Sequence, residues 1–247
     1  MDKDKSIMDK IKQLQEVIDN SNNIVFFGGA GVSTESGLKD FRSVDGLYSQ
    51  KYDYPPEEIL SHDFFFYHTK EFYKFYKDKL LVDNVKPNPC HLQLAKLEQA
   101  GKLKAIITQN IDNLHSLAGS KVVLELHGTI MKNHCVRCNS YYEGFDFIKN
   151  VDIPICPKCQ GIIKPDVVLY NEQLDQQTIY DTIKYISKAD TLIVGGCSLT
   201  VYPAAGFINY FHGKNLVVIN KSNTYIDKRA TLVINEPIGK VMSQIKI

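Results

Sequence analysis

Two pairs of cysteines have the spacing of a metal site. Cys135 and Cys138 are separated by two residues, as are Cys156 and Cys159, and the 17 residues 139–155 lie between the pairs. This spacing is typical of a tetrahedral site with four thiolate ligands, which in proteins usually holds zinc. Four thiolates fill the coordination shell, so no position remains for a reacting water. The sequence predicts one structural zinc ion, with redox-active pairs or free thiols as the alternative.

A glycine-rich loop follows the first predicted strand. The apolar run 24–27 leads directly into Gly28, Gly29 and Gly31. Glycines here let the backbone approach a phosphate, whereas the alternative is a turn that only packs a helix on a sheet. A dehydrogenase would place an acidic residue about 20 positions further on, at a strand end. That region reads as a loop around Asp53, so the loop predicts nucleotide binding without ordinary hydride transfer.

Several further strands are predicted to end in glycine or polar groups. These groups are Gln109, Asn110 and Asp112, then His127, then Gly196, Cys197 and Ser198, and finally Asn220. In open parallel sheets, ligands bind beyond the carboxyl ends of the strands. His127 is the natural proton acceptor near neutral pH, although a structural histidine is the alternative. Asn110 and Asp112 could bind a carboxamide or order a water, although both residue types are common in turns.

Apolar periodicity predicts the elements that position these groups. Helices are expected at 7–18, 64–75, 91–100 and 178–187, and strands at 24–27, 105–108, 122–126, 191–194, 216–219 and 232–234. Strands that alternate with helices imply an α/β fold, with a parallel sheet covered on both faces. Cys90 is expected to be a buried small residue. We expect the histidines outside the strand ends to be solvated, namely His62, His68, His115, His134 and His212.

Composition excludes some classes of protein. The chain has 247 residues, with 29 basic and 28 acidic side chains and a formal charge of +1, which does not favour specific binding of nucleic acid. No apolar run approaches the roughly 20 residues of a membrane helix. No signal peptide is recognisable in the charged start of the chain. We therefore expect a cytoplasmic protein, in which the cysteines bind metal rather than form disulfides.

Taken in order, the motifs resemble those of the sirtuin family, and of its bacterial members in particular. The matching pieces are Gly29-Ala30-Gly31-Val32-Ser33, Asp40-Phe41-Arg42, Thr108-Gln109-Asn110-Ile111-Asp112, Leu126-His127-Gly128, the four cysteines, Lys164-Pro165-Asp166-Val167-Val168 and Ser198-Leu199-Thr200-Val201-Tyr202-Pro203. The resemblance implies a Rossmann-like NAD-binding domain formed by residues 1–129 and 167–247, with a small helical insertion near 45–88. It implies that residues 130–166 form an inserted zinc-binding module.

The resemblance also implies roles for individual residues. His127 and Asn110 would be catalytic. The NAD-binding residues would be Gly29, Ala30, Gly31, Thr34, Phe41, Arg42, Gln109, Ile111, Asp112, Gly196, Cys197, Ser198, Asn220 and Ile238. An acyl-lysine peptide would add as a strand beside Val168, Tyr170, Asn171, Glu172, Val201 and Tyr202.

The chemistry implied by the resemblance consumes NAD as a reactant. The acyl oxygen of lysine attacks C1′ of the ribose as nicotinamide leaves, and His127 then acts as base on a ribose hydroxyl that attacks the acyl carbon. The products would be lysine, nicotinamide and O-acyl-ADP-ribose. A mono-ADP-ribosyltransferase and a non-catalytic NAD-binding sensor are the alternatives.

Four positions depart from the residues that are usual in the family. Lys39 replaces a frequent proline, Cys197 a frequent threonine, and Asn113 and Asn171 frequent glycines.

Family members that remove succinyl or malonyl groups carry a Tyr-x-x-Arg pair, where this chain has Tyr73 and Tyr76. Since a phenol does not replace a guanidinium that binds a carboxylate, we expect neutral acyl groups, acetyl first.

Overall fold

The computed structural model describes residues 2–40, 46 and 52–247. The strands are β1 Ile24–Gly28, β2 Leu103–Thr108, β3 Val123–Glu125, β4 Gly128–Cys135, β5 Tyr141–Glu143, β6 Ile163–Val167, β7 Thr191–Gly195, β8 Asn215–Ile219 and β9 Leu232–Ile234. The helices are α1 Asp2–Asn20, α2 Pro56–Ile59, α3 His62–Tyr67, α4 Thr69–Lys79, α5 Pro89–Gln99, α6 Leu114–Leu117, α7 Asp146–Lys149, α8 Gln176–Lys188 and α9 Ile238–Met242. Within these ranges, no helix has both the length and the apolarity to cross a membrane.

A six-stranded parallel sheet forms the centre of the fold, in the order β3-β2-β1-β7-β8-β9. The inner strands β1 and β7 are buried along their whole length. Such continuous apolar runs are typical of strands covered on both faces. The order reverses between β1 and β7, because the chain moves outward from β1 to β3 and then crosses back to β7. The predicted α/β fold is confirmed.

Alternate residues of β1 enter two separate apolar clusters. Ile24 and Phe26 pack with buried residues of α1, α5 and α9, while Val25 and Phe27 pack with α8 and the 3-10 helix Ala204–Tyr210. Side chains of a strand alternate between its faces, so the two clusters cover opposite sides of the sheet. Cys90 lies in the first cluster and is fully buried, as predicted.

The aromatic stretch predicted as one helix forms α3 and α4, which are separated at His68. Ser61 caps α3 by accepting a hydrogen bond from the Phe64 amide. Together the two helices share an apolar cluster with the antiparallel sheet β5-β4-β6; its members include Phe65, Phe72, Tyr73, Tyr76, Ile130, Ile148 and Val167. The helical insertion and the cysteine-bearing segment are therefore packed as one unit. The domain boundaries stay a prediction.

Candidate functional site

Three polar side chains form a connected network beyond the ends of β1 and β2. The Ser33 hydroxyl donates to Asp112 Oδ2 at 2.6 Å, and Asn110 Nδ2 donates to Ser33 Oγ at 3.0 Å. The Leu114 amide donates to Asp112 Oδ1 at 2.9 Å. Burial raises the pKa of Asp112, and the bonds from Ser33 and Leu114 oppose that rise. The network brings together the predicted Asn110 and Asp112.

Ser33 is a member of this network that the sequence did not single out. It is 2% exposed, and its hydroxyl both donates to Asp112 and accepts from Asn110. Its side chain reaches the network because two short 3-10 helices, Ala30–Val32 and Thr34–Ser36, turn the chain around it. In the sequence, the sign of such a role was a serine two residues after Gly31. Only the fold places its hydroxyl beside Asp112.

His127 lies between β3 and β4, and its ring orientation is set by the backbone. Its Nδ1 is 3.1 Å from the carbonyl oxygen of Gln109. A carbonyl can only accept, so Nδ1 carries the proton and Nε2 is left with a free lone pair. Burial lowers the pKa of His127, and the bond to Gln109 opposes that shift. The ring is therefore neutral near pH 7 and is arranged as a proton acceptor.

The glycine loop packs against a second glycine turn at the end of β7. Gly29 N donates to Gly195 O at 3.2 Å, and Gly31 N donates to Gly196 O at 2.8 Å. A Cβ on Gly31 would lie 2.8 Å from Gly196 O, and Gly196 has a φ of +54°. These glycines thus allow close contact between two loops, and that contact fixes the glycine loop at the sheet edge. A role in binding phosphate stays a prediction.

The other predicted NAD-binding residues lie along the same edge. Gln109 Nε2 donates to Cys197 Sγ at 3.0 Å, and Asn220 Nδ2 donates to the Cys197 carbonyl at 3.1 Å. Cys197 is 4% exposed, so the thiol that replaces the family's usual hydroxyl accepts a hydrogen bond within the protein. Five further predicted NAD-binding residues lie at this edge. Ala30 and Thr34 are half-buried in the glycine loop, and Ile111 is half-buried after β2. Ser198 is exposed, whereas Ile238 is buried at the start of α9. Phe41 and Arg42 lie outside the described residues.

The first predicted peptide-binding segment begins next to His127. The Val168 amide donates to the His127 carbonyl at 2.9 Å. Tyr170 is paired on one side with the chain before α3, since its amide donates to Leu60 O and its carbonyl accepts from His62 N. Val201 and Tyr202 lie on a separate loop after β7, where Tyr202 is 69% exposed. Their role beside a peptide stays a prediction.

The two asparagines found in place of glycine both adopt the left-handed conformation. Asn113 has a φ of +63° and Asn171 a φ of +70°. Asparagine is among the few residue types other than glycine that adopt this conformation readily. The departures from the family pattern therefore preserve the backbone geometry that a glycine would provide.

The four cysteines meet as the spacing predicted. Their Sγ atoms all lie within 4.8 Å of one another, with 3.3 Å between Cys135 and Cys159 and 3.6 Å between Cys138 and Cys156. Tetrahedral zinc with bonds of about 2.3 Å would set its sulfurs about 3.8 Å apart. A Cβ on Gly161 would lie 2.9 Å from Cys135 Sγ, so only glycine fits at that position beside the thiolates. The residues present fit a closed structural zinc site.

The expectation of solvated histidines was wrong for His115 and incomplete for His134. His115 is 2% exposed and packs against the fully buried His91, with 4.7 Å between the ring centroids and an angle of 57° between the ring planes. The Asn88 amide donates to His91 Nδ1, so that imidazole is neutral. His134 lies in β4, 2.8 Å from Asp166. His62, His68 and His212 are exposed, as expected. The short helix α6 carries His115 from the loop of Asp112 into the core.

The buried imidazole pair predicts a loss of stability on acidification. Burial lowers the pKa of His91 to about 4, and burial together with His91 lowers the pKa of His115 to about 3. In the unfolded chain both titrate near 6.5. Between about pH 6.5 and 4 only the unfolded state gains these protons, so stability falls as the pH falls. At pH 5 this amounts to about 2 kcal/mol per imidazole.

The comparison variant is His115→Phe, which keeps a ring against Phe26 but does not titrate. Urea unfolding at pH 7.5 and pH 5.0 should show a smaller loss of stability for the variant than for the parent protein. Burial raises the pKa of Asp112 and of Glu125, which acts in the opposite direction but equally in both proteins. Equal losses in the two proteins would contradict the prediction.

Comparison with known proteins agrees with this geometry. Residues 29–203 match the model of the Sir2 family. A curated NAD-dependent protein deacetylase of Clostridium perfringens is 59% identical over 240 residues, covering 96% of this chain and 98% of the relative. The solved complex "Sir2-p53 peptide-NAD+" is 40% identical with a TM-score of 0.84, covering 94% of this chain and 95% of that one. "Structure of Sir2Tm bound to a propionylated peptide" is 39% identical, with the same coverage and a TM-score of 0.83. The chain belongs to the Sir2 family.

Proposed function

We propose that the protein removes acetyl groups from protein lysine with consumption of NAD, giving free lysine, nicotinamide and O-acetyl-ADP-ribose. The observation that carries this proposal is the neutral His127, whose Nδ1–H is held by Gln109 O so that Nε2 is free to accept a proton. A protein that only binds NAD would not need a base at this position. The activity named for its curated relatives supports the same reaction.

In this reaction NAD supplies the electrophilic ribose carbon and its nicotinamide leaving group. His127 would remove a proton from a ribose hydroxyl, because its lone pair faces away from the backbone bond to Gln109. That hydroxyl would attack the acyl carbon, so the acyl group passes from lysine to ADP-ribose. The proton would be returned from Nε2 to the departing lysine amine. One water molecule would also be consumed, because its oxygen replaces the acyl oxygen that stays on C1′ of the ribose.

The network of Ser33, Asn110 and Asp112 would hold the nicotinamide side of NAD. Asp112 accepts one bond on each carboxylate oxygen, from Ser33 and from Leu114. Each oxygen retains a second lone pair that can accept a carboxamide N–H. Asn110 is 9% exposed and tied to Ser33, so its amide is held in one orientation. We assign the remaining predicted NAD-binding residues, and the peptide-binding residues other than Glu172, the roles that the family resemblance implies.

We further propose a preference for neutral acyl groups. Tyr76 is fully buried in an apolar cluster, its ring is stacked on Phe72, and its hydroxyl has no partner among the described residues. The Tyr73 hydroxyl is occupied by the carbonyl of Ile163. Burial raises the pKa of Tyr76, so it stays a neutral phenol. A neutral phenol offers no charge to balance the carboxylate of a succinyl group.

One experiment tests both parts of this proposal. Protein and NAD are incubated with acetyl-lysine or succinyl-lysine peptide, and peptide mass and nicotinamide release are followed. The acetyl peptide should lose its acetyl group as nicotinamide appears, at least about tenfold faster than the succinyl peptide loses its own, since an unpaired carboxylate costs at least the 1.4 kcal/mol of a tenfold rate. Addition of ADP-ribose to protein would favour the transferase, and no nicotinamide release would favour the sensor. Faster turnover of the succinyl peptide would overturn the acyl preference.

Location and domain organisation complete the proposal. A cytoplasmic location is supported by the cysteine tetrad, since thiols that bind metal rather than form disulfides are typical of reducing compartments. We assign residues 1–129 and 167–247 to the NAD-binding domain and 130–166 to the zinc module. The shared apolar cluster supports association of the insertion near 45–88 with that module.

A further inference from the structure

The carboxylate of Glu172 lies where three segments of the chain meet. Its Oε2 accepts from Lys164 Nζ at 3.0 Å and from the Leu169 amide at 2.9 Å. Its Oε1 is 3.1 Å from His62 Nδ1. The Glu172 side chain is 19% exposed and that of Lys164 is 17% exposed. Both carboxylate oxygens are therefore engaged inside the protein.

Two of the donors lie close to Glu172 along the chain, whereas His62 is 110 positions away. Lys164 belongs to β6, Leu169 follows β6, and His62 is the first residue of α3. Lys164 also donates to Val167 O at 3.0 Å, and its ammonium lies 5.9 Å from the centre of the Phe65 ring. The ammonium of Lys164 therefore bonds within the protein. The ion pair between Lys164 and Glu172 is not free to bind a peptide.

The carboxylate closes a turn in the segment 168–172. The Glu172 amide donates to Leu169 O at 3.0 Å, and its side chain accepts from the Leu169 amide. Asn171 lies inside this turn with a φ of +70°, which reverses the chain so that the side chain can reach back. Both backbone groups of Leu169 are thereby satisfied by Glu172.

The same segment is fixed at its other positions to the site and to α3. The Val168 amide is bonded to the carbonyl of the candidate base His127, and Tyr170 pairs with the chain at residues 60–62. A shift of this segment would therefore change the distance between a docked peptide and His127. Burial raises the pKa of Glu172, but the bonds from Leu169, Lys164 and His62 outweigh it and hold the pKa below its usual value.

We propose that Glu172 is a positioning residue, which holds the segment 168–172 in the conformation that receives the acyl-lysine peptide without its side chain touching that peptide. This inference rests on the proposed function, since it names how one wall of the peptide site is held. It differs from the family resemblance, which would place Glu172 among the residues that flank the peptide. Lys164 is its principal partner and His62 a secondary, more exposed one.

The test measures binding of an acetyl-lysine peptide separately from binding of NAD. Glu172→Ala removes all three bonds and leaves the ammonium of Lys164 without its anion. The Kd for a fluorescent acetyl-lysine peptide should rise about tenfold, equivalent to 1.4 kcal/mol, while the Kd for NAD stays unchanged. Glu172→Gln, which keeps an acceptor, should recover part of the affinity. Hydrogen exchange at the Leu169 amide should be faster in Glu172→Ala.

Two further variants separate a positioning role from a general loss of folding. Glu58→Ala removes an exposed carboxylate from nearby α2 and should leave peptide binding unchanged. Lys164→Met removes the principal partner, and it should weaken peptide binding even if Glu172→Ala folds poorly. Unchanged peptide affinity in both Glu172→Ala and Lys164→Met, or equal losses for peptide and NAD with a lower melting temperature, would overturn the inference. If the parent protein binds no acetyl-lysine peptide, the proposed function fails as well.

Discussion

Replacement of His127 by alanine is expected to slow deacetylation by about 10²- to 10⁴-fold, the usual contribution of a general base. The physical reason is the ring's tautomer: Gln109 O holds the proton on Nδ1, so Nε2 is the atom that accepts a proton. Asp112 would not replace it as a base, because the lone pairs left by Ser33 and Leu114 are assigned to the nicotinamide carboxamide. The measurement is steady-state loss of acetyl from the peptide at saturating NAD.

His134→Ala is the matched control for this variant. His134 lies in β4 and pairs with Asp166, away from Gln109. Its loss should leave turnover close to that of the parent protein, and zinc content should be unchanged in both variants. A His127→Ala protein that retains full turnover would exclude His127 as the base.

The pH dependence of turnover provides a second test of His127 as the base. A base must be neutral to act, and burial lowers the pKa of His127 below its usual value of 6.5. The acid limb of the profile of kcat/KM should therefore lie below pH 6.5, and it should be absent from the residual activity of His127→Ala. The profile reports the free enzyme, to which the pKa shift refers.

Replacement of Cys156 by alanine is expected to remove zinc and destabilise the fold by several kcal/mol. Cys156 is fully buried, and three thiolates cannot close a tetrahedral shell. The buried members of the cluster around the cysteines are Cys135, Cys156 and Ile163, so without zinc the two cysteine turns have little apolar burial of their own. The rest of the segment would still pack on α3 and α4. Binding of structural zinc contributes about 10–16 kcal/mol in small zinc-dependent peptides, which bounds the effect from above. Metal analysis should give about one zinc per parent chain.

Cys90→Ala is the matched control, because Cys90 is equally buried but lies in the core beneath the main sheet. It should keep its zinc and lose only about 1 kcal/mol through the small cavity created. The measurements are zinc content and urea unfolding of both variants. A Cys156→Ala protein with normal zinc and normal stability would contradict a closed four-thiolate site.

The unusual asparagines illustrate how a local sequence rule and the fold agree. Asn113 and Asn171 stand where the family pattern favours glycine, and the sequence alone left their effect on affinity and rate open. The structure gives both a positive φ, a conformation that asparagine tolerates. Residue type therefore predicts the backbone here, because the preference is local.

Histidine roles, in contrast, were only partly predictable. His127 stood out because it follows a strand of the parallel sheet, where side chains are presented at the edge. His115 looked like a solvated residue near a turn, yet it is packed against His91 in the core. The burial of a residue depends on which helices and strands pack against it, and the sequence around His115 does not contain that information.

The sequence by itself predicted the six strands of the parallel sheet and the four cysteines that meet, because these depend on apolar periodicity or on short-range spacing. It did not predict the antiparallel strands β4, β5 and β6. Only the tertiary structure decided that Ser33 joins Asn110 and Asp112, across 77 and 79 positions of chain. It also decided that Glu172 faces Lys164 and His62 rather than solvent. Hydrogen bonds between distant segments form only when the sheet order and the packing of α3 on β6 bring those segments together, and no local pattern encodes that approach.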